Sequence, residues 1–279
     1  MDPTPRRREL NVTAAPLCIA ACQITSGPDP ADNLATMKTW VRRAADSGAR
    51  VVVFPEATMA RFGSPLAAVA QPLDGPWATA VSELAEAHSV LIAAGMFTPD
   101  GNRVRNTVLL SGLGHHTGYH KIHLYDAFGF RESDTVAPGA HPVTINVDDV
   151  VLGVATCYDV RFPALFQQLA TSGATAILLP TSWGAGPGKA EQWEVLVRAR
   201  ALDSGSWIVG CDQADPKTTG VQVDPGAPTG IGCSLVVDPL GQVTGRLAAA
   251  PGLLFTEVDT ATTTHARRAT GVLANRATF

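Results

Sequence analysis

The stretch VLGVATCYDVRFP, residues 151–163, gives the strongest indication of how this chain folds. Its first half is apolar and rich in β-branched residues, which is typical of a buried strand. Pro163 fits the first turn of a helix, where proline is tolerated, so the stretch predicts a strand that passes into a helix. Cys157 then lies at the junction, where helix N–H groups can lower the pKa of a thiol and present a thiolate. On this residue alone, a buried and inert thiol is the alternative.

The same alternation extends along the chain in both directions. Helical spacing of apolar residues predicts helices at 33–45, 76–87, 162–171 and 192–202. Short apolar runs predict strands at 17–23, 51–54, 90–94, 106–111, 115–123, 143–147, 150–156, 176–179, 207–211, 234–237 and 253–258. Apolar strands mixed with helices from end to end imply buried sheets that helices cover. Because no linker divides the chain, we expect a mobile tail at 1–14 and a single domain at 15–279, with a C-terminal extension from about residue 260.

The composition excludes several classes of protein. Of 279 residues, 46% are hydrophobic and only 16% are charged, which is unlike a disordered chain. The net charge of −4 lacks the basic surplus that is typical of a nucleic-acid-binding protein. No apolar run reaches the roughly 18 residues of a membrane helix. We therefore expect neither nucleic acid nor a membrane as a partner.

The five cysteines are odd in number and contain no CxxC pair. This usage is typical of reduced thiols in a cytoplasmic protein. One alternative lies near the N-terminus, where Arg6, Arg7 and Arg8 precede an apolar stretch that ends at Cys22 and resembles a lipoprotein cleavage site. The same stretch is equally well explained as a first core strand.

Two further polar residues follow apolar strands directly. Glu56 comes after the run at 51–55, and Lys121 is one of only four lysines in the chain. Strand ends are where α/β proteins collect catalytic groups, because a buried charge must be paired. Taken singly, a loop carboxylate and a solvated edge-strand lysine explain them as well.

Together with the cysteine, these residues stand in a recognisable order. The stretches VFPE (53–56), HKIHL (120–124), TCYDVRFP (156–163) and SLVVDPLG (234–241) resemble signature blocks of the nitrilase superfamily of carbon–nitrogen hydrolases, and WEVLVRARA (193–201) is similar to a further block. The resemblance extends over about residues 17–260. It implies an α+β fold, a four-layer αββα sandwich whose subunits pair into a longer α-β-β-α stack as a homodimer or a higher homo-oligomer.

The resemblance also implies the roles of individual residues. Cys157 would be the nucleophile, Glu56 the general base and acid, and Lys121 the cation at the developing oxyanion. Glu132 matches the family's second, orienting glutamate, and the backbone N–H of Tyr158 could be a second oxyanion donor. No metal or other cofactor is required.

The function implied is hydrolysis of a small linear amide, most similar to that of ω-amidases and amidases of deaminated glutathione. A carboxylate on the substrate could bind Arg131 or Arg161, with Trp183 as a further substrate-binding residue, although an ion pair between Arg161 and Asp159 is the structural alternative. Hydrolysis of N-carbamoyl compounds or nitriles, and an inactive scaffold with the same fold, are the other functions that the sequence allows.

Four positions depart from the usual family pattern and leave the substrate pocket open. They are Ala164, Gln192, Asp212 and Cys233.

Two unrelated functions have weaker support. Four histidines at 115, 116, 120 and 123 suggest a zinc site, but on one strand they would point to opposite faces. Gly112, Gly114 and Gly118 suggest a dinucleotide site, but a strand rather than a helix is predicted after them.

Overall fold

The structure is a computed structural model that describes residues 15–224 and 226–277. The predicted tail at 1–14 lies outside the described residues. The strands are β1 Leu17–Gln23, β2 Val51–Val53, β3 Leu91–Asp100, β4 Arg103–Gly112, β5 His115–His120, β6 Asp126–Ala127, β7 Phe130–Arg131, β8 Val143–Val147, β9 Val150–Val154, β10 Ala176–Thr181, β11 Trp207–Asp212, β12 Leu235–Val237, β13 Val243–Arg246 and β14 Gly252–Val258. The helices are α1 Pro30–Asp46, α2 Leu66–Val69, α3 Pro76–His88, α4 Pro163–Thr171, α5 Lys189–Ser204 and α6 Thr260–Thr270.

Twelve of the strands form two six-stranded sheets. The strand orders are β14-β1-β2-β3-β4-β5 and β13-β12-β11-β10-β9-β8. In each sheet three neighbouring strands are parallel, β1 to β3 and β9 to β11. All the other pairings in the two sheets are antiparallel. The two halves of the chain therefore build similar sheets.

The sheets pack face to face, and helices cover their outer faces. Side chains such as Val53 and Leu178 lie in the core between the sheets, while the neighbouring residue Ile177 packs with Phe166 of α4 on the other side. This alternation follows from the two-residue period of a strand. Helices α1 and α3 cover the first sheet in the same way. The structure thus confirms the four-layer αββα sandwich.

The packing brings the carboxyl ends of the parallel strands together. Glu56 follows β2 of the first sheet, while Cys157 and Ser182 follow β9 and β10 of the second. A hydrogen bond of 2.9 Å from the Ser182 N–H to Glu56 Oε2 joins the two ends. Residues far apart in the sequence therefore meet at one edge of the sandwich.

Several boundaries differ from the sequence predictions. The strand predicted at 115–123 ends at His120. The backbone N–H and the ring of His123 bond to Asp159, which follows β9 of the second sheet, instead of continuing the pairing with β4. Helix α5 begins at Lys189 rather than Gln192. Helix α6 lies where a C-terminal extension was expected; the sequence patterns did not predict this helix, which buries Ala266. The hairpin of β6 and β7 was also missed.

The residues of the alternative cleavage, dinucleotide and zinc sites have ordinary structural roles. Residues 17–23 form the interior strand β1 with Cys22 fully buried, and Gly112 and Gly114 belong to the connection between β4 and β5. His115, His116 and His120 each bond to a backbone or hydroxyl oxygen. Among residues 15–224 and 226–277, no group of three or more His, Cys, Asp or Glu could hold a metal ion. No helix within those residues is long and apolar enough to span a bilayer.

Candidate active site

The nucleophile predicted from the sequence lies at a strained turn. Cys157 is the first residue of the 3-10 helix Cys157–Arg161 that follows β9. Its φ of 45° is rarely adopted by a residue other than glycine. Strain of this kind persists where surrounding contacts impose it, and here Asp159 Oδ2 accepts the Thr156 N–H at 2.8 Å. The turn leaves the Cys157 thiol buried, 3.8 Å from the Ser182 carbonyl oxygen.

Asp159 also connects this turn to the segment that carries Lys121. Its Oδ2 accepts the Tyr119 hydroxyl at 2.6 Å, and its Oδ1 accepts the His123 N–H at 3.0 Å and lies 2.7 Å from His123 Nδ1. Because Asp159 is fully buried, these contacts fix its carboxylate firmly. The ion pair between Arg161 and Asp159 that the sequence allowed is not formed.

Glu56 lies beside the thiol with both carboxylate oxygens occupied. Its Oε1 accepts Lys121 Nζ at 2.9 Å and Asn106 Nδ2 at 2.7 Å, and its Oε2 accepts the Ser182 N–H. The carboxylate is close enough to the Cys157 thiol for its charge to raise the pKa of that thiol further, beyond the effect of burial. Glu56 is fully buried, so these donors replace the water that it loses.

Lys121 lies between two carboxylates. Its Nζ donates to Glu132 Oε2 at 2.8 Å as well as to Glu56. Asn106 Nδ2 donates to Glu132 Oε1 at 2.9 Å and so bridges the same two acids. The Tyr125 N–H, at 2.7 Å from Glu132 Oε2, completes the cluster. One cation thus serves two carboxylates.

Burial and charge set the protonation of these groups. Burial raises the pKa of Glu56, and the charge of Glu132 adds to the rise, against the lowering effect of Lys121. Burial, and then the charge of Glu56, raise the pKa of Cys157 well above its usual range. Burial alone would lower the pKa of Lys121, but the two carboxylates outweigh it and hold that pKa well above its usual range.

The expectation that the helix end lowers the pKa of Cys157 is therefore wrong. Burial beside a carboxylate outweighs the helix N–H groups. With its pKa raised, the Cys157 side chain rests as a thiol, and the Glu56 carboxylate beside it could accept the proton. The arrangement can generate a thiolate by transfer of the Cys157 proton to Glu56, next to the Lys121 ammonium, which stabilises negative charge.

The model of the carbon–nitrogen hydrolase family matches residues 18–268, nearly the whole chain. The chain belongs to this family. It is a hydrolase of carbon–nitrogen bonds other than peptide bonds. The matched residues include Glu56, Lys121, Glu132 and Cys157.

Named relatives and solved structures agree with this assignment. A Mycobacterium tuberculosis protein named only as a hydrolase is 51% identical over 94% of this chain and 96% of its own. Deaminated glutathione amidase of Mus musculus is 33% identical over 92% of this chain and 82% of its own. A solved Nesterenkonia amidase of the nitrilase superfamily is 26% identical, with a TM-score of 0.75 over 93% of this chain and 97% of its own.

In this carbon–nitrogen hydrolase the buried cluster of Glu56, Lys121, Glu132 and Cys157 opens into a recess with aromatic and cationic walls. Tyr125, Tyr158, Arg161, Trp183 and Lys189 line it. The innermost space is about 20 Å³, room for little more than one water molecule. Lys189 and Tyr125 also border an outer cavity of about 730 Å³. The reacting group must lie in the recess, and the rest of a substrate has room outside it.

The two arginines predicted to bind substrate differ in position. Arg161 lines the recess, with its Nη2 donating to Gln192 Oε1 at 2.8 Å. Arg131 is exposed, with its Nε 3.4 Å from Asp134 Oδ1, and it does not line the recess. Its predicted role in substrate binding is not supported. Trp183 is buried in the wall and donates from Nε1 to the Lys189 carbonyl at 2.9 Å.

Sequence reasoning missed several residues of the site. Asn106 carries little signal, because Arg105 and Thr107 on either side of it are also polar. Asp212 was noted only as a departure, yet it accepts the Trp183 N–H at 2.8 Å and the Ile231 N–H at 3.0 Å. It therefore joins Trp183, in the wall of the recess, to the segment at Ile231. Ser182 acts through its backbone and carries no signal in the sequence.

Proposed function

We propose that this enzyme hydrolyses a small linear amide that bears a carboxylate, through a thioester on Cys157, and releases ammonia. One observation carries the proposal: a buried thiol, a carboxylate with a raised pKa and an ammonium meet in one recess. Amides are poor electrophiles, so this chemistry needs both a generated thiolate and a stabilised oxyanion. The relatives named as amidases support the reaction class.

The first half of the reaction forms the thioester. Glu56 removes the thiol proton while the sulfur of Cys157 attacks the amide carbonyl carbon. The carbonyl oxygen becomes an oxyanion beside Lys121 and the Tyr158 N–H. As the oxyanion collapses, the carbon–nitrogen bond breaks, and Glu56 returns its proton to the nitrogen, which leaves as ammonia. Each oxyanion donor is expected to contribute on the order of 3 kcal/mol.

The second half releases the acid. A water molecule takes the place of ammonia, and Glu56 removes a proton from it as its oxygen attacks the thioester carbon. The carbon–sulfur bond then breaks, and Glu56 returns the proton to the departing sulfur of Cys157. A carboxylic acid leaves, and the thiol and the carboxylate are restored for the next cycle.

The substrate carboxylate is assigned to the wall that contains Arg161. This guanidinium faces the recess, and its buried Nε has no hydrogen-bond partner among the described residues. A buried donor without a partner is costly, and a bound carboxylate would remove that cost. An ω-amide of a dicarboxylic acid has its amide and its carboxylate at the two ends of one short chain, so the amide could reach Cys157 while the carboxylate contacts Arg161.

We also propose that two subunits associate through the outer face of α5. Val195 and Leu202 lie seven residues apart on one side of that helix, with 64% and 48% of their surface exposed. Leu240 is exposed on the neighbouring turn. Large apolar side chains exposed near one another in this way are typical of a protein–protein interface. The five cysteines are all unpaired, which supports a reducing compartment such as the cytoplasm.

The test is a screen for ammonia release with glutaramate, an N-carbamoyl amino acid, a simple amide and a nitrile. We expect turnover of glutaramate and an acyl adduct on Cys157 by mass spectrometry. Cys157→Ala should abolish both, while Cys18→Ala, at a thiol remote from the recess, should change neither. Full turnover by Cys157→Ala would refute the mechanism. Activity on N-carbamoyl compounds or nitriles alone would replace the substrate class, and a wild-type chain inactive on all four would indicate the scaffold.

A further inference from the structure

Lys189 is a buried cation in the wall of the recess. It is the first residue of α5, and only 9% of its surface is exposed. Its Nζ lies 3.4 Å from the centre of the Phe128 ring and 3.5 Å from the Tyr125 hydroxyl. Within residues 15–224 and 226–277, no carboxylate pairs with it.

Three features of this position are unfavourable to a lysine. A buried ammonium without a counter-ion loses hydration, which the 3.5 Å contact with the Tyr125 hydroxyl replaces only in part. A cation at the N-terminal end of a helix opposes the helix dipole. Burial and the nearby charge of Arg161 lower the pKa of Lys189, which shows that its charged form is disfavoured. The cation–π contact with Phe128 offsets only part of these costs.

A second cation shares the same surroundings. Arg161 Cζ lies 5.9 Å from the centre of the Phe128 ring and 5.5 Å from that of Trp183. Lys189 Nζ lies 5.9 Å from the same Trp183 ring. Two cations therefore occupy one aromatic cage beside Cys157. A single anion bound between them would relieve the repulsion, the lost hydration and the opposed helix dipole together.

We infer that Lys189 is a specificity-determining residue that, together with Arg161, binds the carboxylate of the amide substrate. This inference rests on the proposed function. Lys189 borders both the inner recess and the outer cavity, whereas Arg161 borders the recess alone. The carboxylate is therefore held at the boundary between them, with the amide directed inwards to Cys157.

Kinetics on a matched pair of substrates test the inference. Glutaramate and valeramide have the same chain length and differ in a carboxylate against a methyl group. Lys189→Met should raise KM for glutaramate at least about tenfold, equivalent to about 1.4 kcal/mol, with little change in kcat. Lys189→Met should leave KM for valeramide unchanged. Lys189→Arg should restore most of the affinity for glutaramate. Lys38→Met, at an exposed lysine of α1, is the control and should have no effect.

A binding measurement separates this inference from the proposed reaction. Calorimetry with glutarate and the Cys157→Ala chain needs no turnover. Adding Lys189→Met should weaken glutarate binding at least about tenfold. Equal losses on glutaramate and valeramide, or glutarate affinity that is absent or unchanged by Lys189→Met, would overturn the inference. A wild-type chain that binds glutarate in a Lys189-dependent way but hydrolyses no amide would refute only the proposed function.

Discussion

At the scale of single residues, the site depends on an imbalance of charge. Lys121 serves both Glu56 and Glu132, and Asn106 donates one hydrogen of its amide to each of them. Burial, and then the charge of Glu56, raise the pKa of Cys157 and keep the proton on its sulfur. Burial, and then the charge of Glu132, raise the pKa of Glu56 and make it a stronger base. Burial matters because the same charges in water would be largely screened.

Replacing Glu132 with glutamine tests this imbalance. The charge of Glu132 raises the pKa of Glu56, so removing that charge lowers this pKa. Activity requires ionised Glu56 and is lost as pH falls through its pKa, so the acid limb of kcat/KM should move to lower pH in Glu132→Gln. We expect kcat to fall at least about tenfold because Lys121 loses a charged hydrogen-bond partner.

The measurement is kcat/KM for the best amide across the acidic range. Glu86→Gln, at an exposed position on α3, is the control and should leave the limb in place. An acid limb in Glu132→Gln that stays fixed or moves to higher pH would contradict the assignment of Glu56 as the base.

At the scale of elements, the connection between β4 and β5 positions Asn106 and Lys121. Gly112 and Gly114 have φ values of 110° and 83°, which disfavour other residues. A Cβ at Gly112 would overlap the Val90 carbonyl oxygen, whereas a Cβ at Gly114 would meet nothing within 4 Å. Both glycines therefore have a backbone conformation that other residues rarely adopt, but only Gly112 also lacks room for a Cβ.

This pair predicts unequal effects of the same substitution. Gly114→Ala should cost about 1 kcal/mol of unfolding free energy, the price of the backbone conformation alone. Gly112→Ala should cost more than about 3 kcal/mol of unfolding free energy, because either the backbone at Val90, just before β3, or the turn itself must move. Urea unfolding of both variants measures the difference. Equal losses in the two variants would show that the close contact with Val90 is not maintained in solution.

Local patterns predicted most elements but not the contacts that end them. The strands at 17–23, 143–147 and 207–211 were predicted within a residue or two because apolar runs and turn residues mark them. The end of β5 was not, because it depends on Asp159, which lies in the other sheet. Helix α6 was missed because its sequence is rich in threonine, and the burial of Thr263 and Ala266 that stabilises it is tertiary.

At the scale of the whole molecule, the site belongs to neither sheet alone. Glu56 and Lys121 follow strands of the first sheet, and Cys157 and Ser182 follow strands of the second. The order of glutamate, lysine and cysteine along the chain therefore predicted the cluster only through the family resemblance. Lys189 and Asp212 carry no such signal, since their surroundings arise when the sandwich closes.

The association of subunits through α5 is the prediction that belongs to this scale. Val195→Asp combined with Leu202→Asp places two charges on the exposed apolar face of that helix, where burial against a partner would leave them without counter-ions. We expect the wild type to have at least twice the 29.1 kDa mass of one chain, and the double variant to have the mass of one chain. Light scattering measures both masses. Ala67→Asp, at an exposed position on α2, adds a charge elsewhere and should leave the mass unchanged. A monomeric wild type, or a double variant with the wild-type mass and unaltered circular dichroism, would exclude this face as the interface.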